Sequence, residues 1–145
     1  GLAAPVGSAI VGSKDFIKEA RRNRKIVGGG MRQSGVLAAA GIVALEQMVD
    51  RLADDHANAK RLAEGLAEIP GFDVNLASVQ SNIVIFGWRH PTATCEQVVR
   101  GLAAEGVKWN AIGPQQFRAV THYGIERQDI ETALAAARKV VKALS

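Results

Sequence analysis

Apolar and polar positions along this chain follow two periods, and the changes between them mark its elements. Ser8–Gly12 is a short apolar run closed by glycine, which predicts a buried strand. Ser13 then stands where a helix N-cap belongs, and Asp15 falls in the first turn, where a carboxylate favours the positive helix end. A helix is predicted from Lys14 to about Lys25, with Phe16, Ile17 and Ala20 on its apolar side. Gly28–Gly30 ends it, because three glycines lose too much backbone entropy to sit inside a helix.

From Met31 or Ser34 to about Leu66 the spacing is helical again, but its character changes partway. Gly35–Leu45 is apolar nearly all round, which predicts burial on most sides or packing against another subunit. Beyond Gln47 the pattern becomes amphipathic. Val49, Leu52, Ala53, Ala59, Leu62, Ala63 and Leu66 form a stripe, and Asp50, Arg51, Asp54, Asp55, Lys60, Arg61 and Glu64 are expected to face water. A domain boundary is placed near Val49–Arg51.

After the Pro70–Gly71 turn the periods alternate in a compact order. Strands are predicted near Phe72–Leu76 and over Asn82–Trp88, followed by a helix over Thr94–Glu105. Strands Val107–Asn110 and Phe117–Thr121 come next, and a last helix runs from about Arg127 to Leu144. This order predicts an α/β sandwich of about 95 residues with helices over one face of a small sheet. No internal repeat or low-complexity tract interrupts the chain.

Composition adds one restriction and one localised feature. The net charge of +4 on 145 residues is unevenly placed. Up to Gly35 seven cations face only Asp15 and Glu19, whereas from Val36 onward eleven cations are outnumbered by twelve anions. The basicity belongs to Arg21–Lys25 and Arg32, as a solvated helix face or as a site for an anion or acidic partner. No apolar run approaches the roughly 20 residues that a membrane helix needs. A single cysteine, Cys95, and an opening Gly1–Pro5 without a basic segment point to a reducing, cytoplasmic setting.

Candidate chemistry is sparse. His56, His90, His122 and Cys95 fall at no spacing that would set two metal ligands on one helix face, so no metal site is expected. Cys95, near a helix start without a neighbouring motif, reads as a structural thiol. Gly28-Gly29-Gly30-Met31-Arg32-Gln33-Ser34-Gly35 places backbone amides ahead of a helix start with Lys25 and Arg32 nearby. Oriented donors plus cations suit a phosphate, although a glycine-rich connector has the same composition, and the Walker spacing is absent. Arg118 alternates with apolar neighbours inside a predicted strand. It either faces solvent on an open sheet or, if that face lines a cleft, offers a planar fork for a carboxylate.

Gly1–Ser8, Arg24–Gln33 and Arg118–His122, taken together, resemble the L-threonine aldolases of the low-specificity and L-allo type. The resemblance runs over the whole chain without a large gap, and the Gly-Gly-Gly-Met-Arg-Gln stretch is its most specific part. It implies the α/β architecture of pyridoxal phosphate fold type I, the aspartate aminotransferase-like fold. Residues 1–50 would end the large cofactor-binding domain, including an interface helix, and residues 51–145 would form the small C-terminal domain. In that family a segment like Gly1–Ser8 follows directly on the lysine that carries the cofactor. The resemblance therefore implies the C-terminal part, rather less than half, of such an enzyme, with the cofactor lysine just before Gly1 and no catalytic residue inside the segment.

Carried over residue by residue, Arg118 matches the arginine that holds the substrate α-carboxylate. Arg32 matches one that reaches the cofactor phosphate from a neighbouring subunit, and Lys25 matches a lysine at the same mouth. Gly28, Gly29 and Gly30 would let the backbone approach the phosphate closely. His122 matches a family position for which a structural role is expected. Ala3, where glycine is common, and Phe117–Val120, where branched aliphatics are more usual, depart from the pattern.

The implied reaction is cleavage of the Cα–Cβ bond of L-threonine or L-allo-threonine to glycine and an aldehyde, through a pyridoxal phosphate aldimine. The implied partners are a small amino-acid substrate, the remainder of the same polypeptide and further copies in a dimer or tetramer that share the site, with no nucleic acid or membrane. The alternatives are a β-eliminating lyase of the same fold, a basic nucleic-acid-binding fragment using Arg21–Lys25, or an inactive interaction domain. Only two Trp and one Tyr, none within the basic run, argue against the nucleic-acid alternative.

Overall fold

A computed structural model describes residues 1–6 and 8–145, and the described residues fall in two compact units. One spans Leu2–Val49; the other comprises Asp50–Ser145 together with Gly1.

The first unit is helical. Helix α1 (Lys14–Ile26) begins as its capping residue predicts, with the Phe16 N–H donating to Ser13 Oγ at 3.3 Å. It closes at Val27, whose N–H donates to the Asn23 carbonyl, and Gly28 then takes φ +82°, a conformation only glycine adopts freely. Helix α2 (Gly35–Gln47) follows. The strand expected over Ser8–Gly12 is not formed. Those residues are exposed, and none of the four strands described below pairs with them, so an apolar run alone did not suffice. Of the two expectations for the apolar α2, burial within its own unit is not met: among the described residues of this unit Ala44 alone is buried, and Val36 and Leu45 are 77% and 68% exposed.

The second unit is an α/β layer. Its elements are α3 (Leu52–Ala67), β1 (Phe72–Asp73), β2 (Ile83–Trp88), α4 (Cys95–Ala104), β3 (Asn110–Gly113), β4 (Gln116–Val120) and α5 (Arg127–Leu144). The strands form one sheet in the order β1-β2-β4-β3, each neighbouring pair antiparallel. Strand β1 stops earlier than expected because Asn75 turns the chain: its side chain accepts from the Ala77 N–H, opening a 3₁₀ turn over Leu76–Ser78. Strand β3 begins at Asn110, where the expected strand ended. Val107 donates its N–H to the Leu102 carbonyl to close α4, and the Trp109 ring is buried, its centroid 5.4 Å from that of Phe86. The segment before Asn110 is thus committed to capping and packing.

Alternation in β2 and β4 sets the core. Val84, Phe86, Trp88, Phe117 and Ala119 are buried, and Phe72, Phe86 and Phe117 pack with ring centroids 5.3–5.9 Å apart. Ala59, Leu62 and Leu66 of α3, Val98 and Leu102 of α4, and Leu134 and Ala137 of α5 cover them. Gly65 and Gly101 permit that covering, since a Cβ on either would run into Leu134 or Val140 of α5. One expectation for α3 fails: Asp55 does not face water but is completely buried. It stands one turn before Ala59 and two before Leu62, within the apolar stripe, and its charge is met by Arg51 rather than by solvent.

Candidate functional site

The sequence-predicted site residues lie in two groups, one in each unit. Lys25, Gly28, Gly29, Gly30 and Arg32 belong to the helical unit, on the connection between α1 and α2, and all are exposed. The chain doubles back on the end of α1 here, as the Gly29 N–H donates to the Arg24 carbonyl at 2.8 Å. A Cβ on Gly30 would stand 2.8 Å from Lys25 Cδ and 3.1 Å from its Nζ, so the lysine folds over bare backbone. Gln33 adopts φ +47° and hands the chain to α2, whose first residue follows Ser34 without any side-chain cap.

An uncapped helix start leaves amide N–H groups available, and the dipole there favours an anion. The ion pairs outside this unit engage Arg51, Arg61, Arg89, Arg138 and Lys139; among the described residues Lys25 and Arg32 enter none. Cations, bare backbone and an open helix start, all within residues 25–35, are the donor types that suit a phosphate.

Arg118 lies in the α/β unit. On β4 the side chains of Phe117 and Ala119 enter the core, so Arg118 projects from the opposite, uncovered sheet face and is exposed. Its Cα partners are Ile85 on β2 and Asn110 on β3. Ile83, Ile85 and Val120 share that face and are 37–45% exposed, giving the arginine an apolar setting. It too is in no ion pair among the described residues, which leaves its planar fork available for a carboxylate.

The end of β4 is firmly tied. Thr121 is buried; its N–H donates to the Asn82 carbonyl at 3.0 Å, and Asn82 Nδ2 donates back to the Thr121 carbonyl at 2.7 Å. Thr121 Oγ1 donates to the Asp55 carbonyl at 2.7 Å. The buried Asp55 carboxylate is gripped by both terminal nitrogens of Arg51, and that hydrogen bonding holds the guanidinium pKa above its ordinary value. Arg51 also donates to the Gly1 carbonyl at 3.3 Å and lies 5.2 Å from the centroid of the Tyr123 ring. His122 is exposed, and its Nδ1–H donates to the Tyr123 carbonyl at 2.8 Å. The patterning of α3 assigned Asp55 to solvent and so hid this cluster; its position within the apolar stripe was the available signal.

The α/β layer with its small antiparallel sheet recurs in solved structures at low sequence identity. The Escherichia coli cysteine desulfurase CsdA matches 79% of this chain and 32% of its own, with TM-score 0.63 and 17% identity. The K223A mutant of C-DES, with glycine covalently linked to its pyridoxal phosphate cofactor, matches 72% of this chain and 28% of its own, with TM-score 0.59 and 23% identity. Ornithine δ-aminotransferase of Plasmodium falciparum matches 74% and 29%, with TM-score 0.57 and 13% identity. These likenesses define the fold as that of the fold type I pyridoxal phosphate enzymes.

The beta-eliminating lyase family model matches residues 1–87, and the chain belongs to that family. Within it the chain is similar to low-specificity L-threonine aldolase 1 of Arabidopsis thaliana, 41% identical over 136 residues. It is also 44% identical over 135 residues to the low specificity L-threonine aldolase of Escherichia coli K12. Each alignment takes in 93% of this chain and 38% of the relative, so the chain spans about two fifths of the length of these curated relatives.

Proposed function

We propose that this chain is part of a pyridoxal phosphate lyase that splits the Cα–Cβ bond of L-threonine or L-allo-threonine, giving glycine and an aldehyde. The observation that carries the reading is Arg118, an exposed arginine without an ion-pair partner among the described residues, set among Ile83, Ile85 and Val120 on an uncovered sheet face. Similarity of nearly the whole chain to low-specificity L-threonine aldolases supports the choice of reaction.

Pyridoxal phosphate, when bound, supplies the electron sink that makes bonds at the α-carbon of an amino acid labile. This chain's own share is binding and orientation. Arg118 donates two parallel N–H bonds to the substrate α-carboxylate; for a substrate also held at its amino group, this second anchor limits rotation about the N–Cα bond, so that the scissile Cα–Cβ bond is presented in one direction. The apolar neighbours lower the local dielectric and strengthen that pair. Lys25, Arg32 and the amides of Gly28–Gly30 hold the cofactor phosphate, and no residue of this chain is assigned an acid or base role.

The exposed apolar residues of α2, Val36, Ile42, Val43 and Leu45, support a homo-oligomer in which they are covered, with Arg32 serving a neighbouring subunit's site. No helix of the described residues is long and apolar enough to cross a membrane. A buried, unpaired Cys95 supports placing the enzyme in a reducing cytoplasm.

The test is to incubate the intact holoenzyme with L-threonine and L-allo-threonine and measure glycine and acetaldehyde. Ammonia and a keto acid released from a β-substituted amino acid, without aldehyde from threonine, would replace aldol cleavage by β-elimination. Arg118→Ala in the intact enzyme is expected to raise the amino-acid KM roughly 100-fold while cofactor absorbance is retained. An unchanged KM overturns the carboxylate role.

A further inference from the structure

We propose that Asn110 is a second recognition residue for the substrate carboxylate, its amide acting beside the Arg118 guanidinium. The inference rests on the reading of Arg118 as the carboxylate clamp. Arg118 has two cross-strand partners, and they differ in kind: Ile85 on one side offers no hydrogen bond, and Asn110 on the other offers two donors. Residues directly opposite in an antiparallel pair project from the same face with Cβ atoms about 4.5–5.5 Å apart. Asn110 and Arg118 thus stand side by side on the open face, where one carboxylate can meet both side chains.

The asparagine is available for that task. Asn58, Asn75 and Asn82 each commit a side-chain atom to the backbone. Asn110 is exposed, and its amide has no hydrogen-bond partner among the described residues. The strand also changes just beyond it: Asn110 and Ala111 pair regularly with Arg118 and Phe117, and the register then shifts before Gly113, leaving Ile112 as an extra residue. The irregularity lies beyond Asn110, so its pairing with Arg118 is undisturbed.

The chemistry favours an amide here. An ionised carboxylate has about four lone-pair sites, of which a bidentate arginine occupies two. A neutral N–H donor adds a third bond without drawing the guanidinium away, whereas an acid at the same position would pair with Arg118 and block it. The pair Arg118–Asn110 would therefore favour amino acids over amines of the same shape that lack the carboxylate.

Four variants of the intact holoenzyme test this: Asn110→Ala, Asn110→Asp, Arg118→Ala and the Asn110→Ala/Arg118→Ala double variant. Cofactor absorbance and thermal midpoint serve as fold controls. Asn110→Ala is expected to raise the L-threonine KM about tenfold with kcat nearly unchanged, as for loss of one hydrogen bond to a charged group. Asn110→Asp is expected to raise it about 100-fold through the new ion pair with Arg118. Inhibition by ethanolamine, which lacks the carboxylate, should be unaffected by both. In the Arg118→Ala background the Asn110→Ala change should add less than twofold.

If Arg118→Ala weakens threonine and Asn110→Ala does not, the asparagine role is overturned and the arginine role stands. If Arg118→Ala itself leaves the threonine KM unchanged, the underlying reading falls, and this inference with it. Equal losses for threonine and ethanolamine on Asn110→Ala would also overturn it, since a merely structural residue would affect both.

Discussion

Thr121 Oγ1 donates to the backbone carbonyl of Asp55 at 2.7 Å, joining the end of β4 to the first turns of α3 across 66 residues of sequence. Both residues are buried, so the bond forms away from water, and Thr121 directly follows β4, three positions beyond Arg118. Side-chain direction in a strand has period two, and a slip of one residue would turn Arg118 toward the core. An inward hydroxyl tied to a helix opposes such a slip.

Thr121→Val keeps shape and volume but removes the donor. The expected result is a loss of about 1 kcal/mol in unfolding free energy, the net worth of one intramolecular hydrogen bond. For a unit of this size that lowers the thermal midpoint by about 4–8 °C. Thr121→Ser, which retains the hydroxyl, should recover most of it; identical midpoints for Val and wild type would show that the bond contributes nothing.

Helices α4 and α5 could be read from the sequence because their signals are local, whereas the helical spacing expected from Met31 or Ser34 to Leu66 ran on through residues 48–51, where the chain turns between α2 and α3. Thr94 and Gln97 form a reciprocal capping box at α4, and the apolar spacing of α5 reappears as the buried Ile130, Leu134, Ala137 and Val141. The strands were harder to place, since pairing depends on partners distant in sequence. Val107–Trp109 has strand-like residues but is used for packing, and Ser8–Gly12 is apolar without a neighbouring strand among the described residues. Arg118 stood out as a charge within an apolar alternation. Asn110 and Asp55 did not, because the first depends on the register with Arg118 and the second on a partner one turn away.

Arg32→Ala in the intact enzyme separates cofactor binding from substrate binding. Arg32 sits next to the glycine stretch and the uncapped start of α2, without an ion-pair partner among the described residues. If it contacts the cofactor phosphate, its loss should weaken pyridoxal phosphate affinity by roughly 10–100-fold, the range for a charge-assisted hydrogen bond. Binding of pyridoxal, which lacks the phosphate, should be unaltered, and the threonine KM at saturating cofactor should change little. Full retention of cofactor after extended dialysis would remove Arg32 from the phosphate site.

Cys95 opens α4, where the helix dipole alone would lower a thiol pKa. Burial acts in the other direction and wins: the side chain is 3% exposed, and desolvation raises the thiol above its ordinary 9.0 despite a hydrogen bond from the Gln116 backbone that opposes the shift. Alkylation by iodoacetamide near neutral pH is therefore expected to be slow and to speed up only when the protein unfolds. The sign of the linkage follows. The folded state keeps the thiol protonated to higher pH than the unfolded chain does, so the Cys95 contribution is constant below 9.0 and stability falls as the pH climbs beyond it. Replacing Cys95 with Ala should remove that part of the alkaline loss, at the expense of a small cavity among Val98 and its neighbours. Urea unfolding of both proteins between pH 7 and 10 measures it: a gap between the curves that stays constant with pH would mean that the thiol is not held neutral by burial.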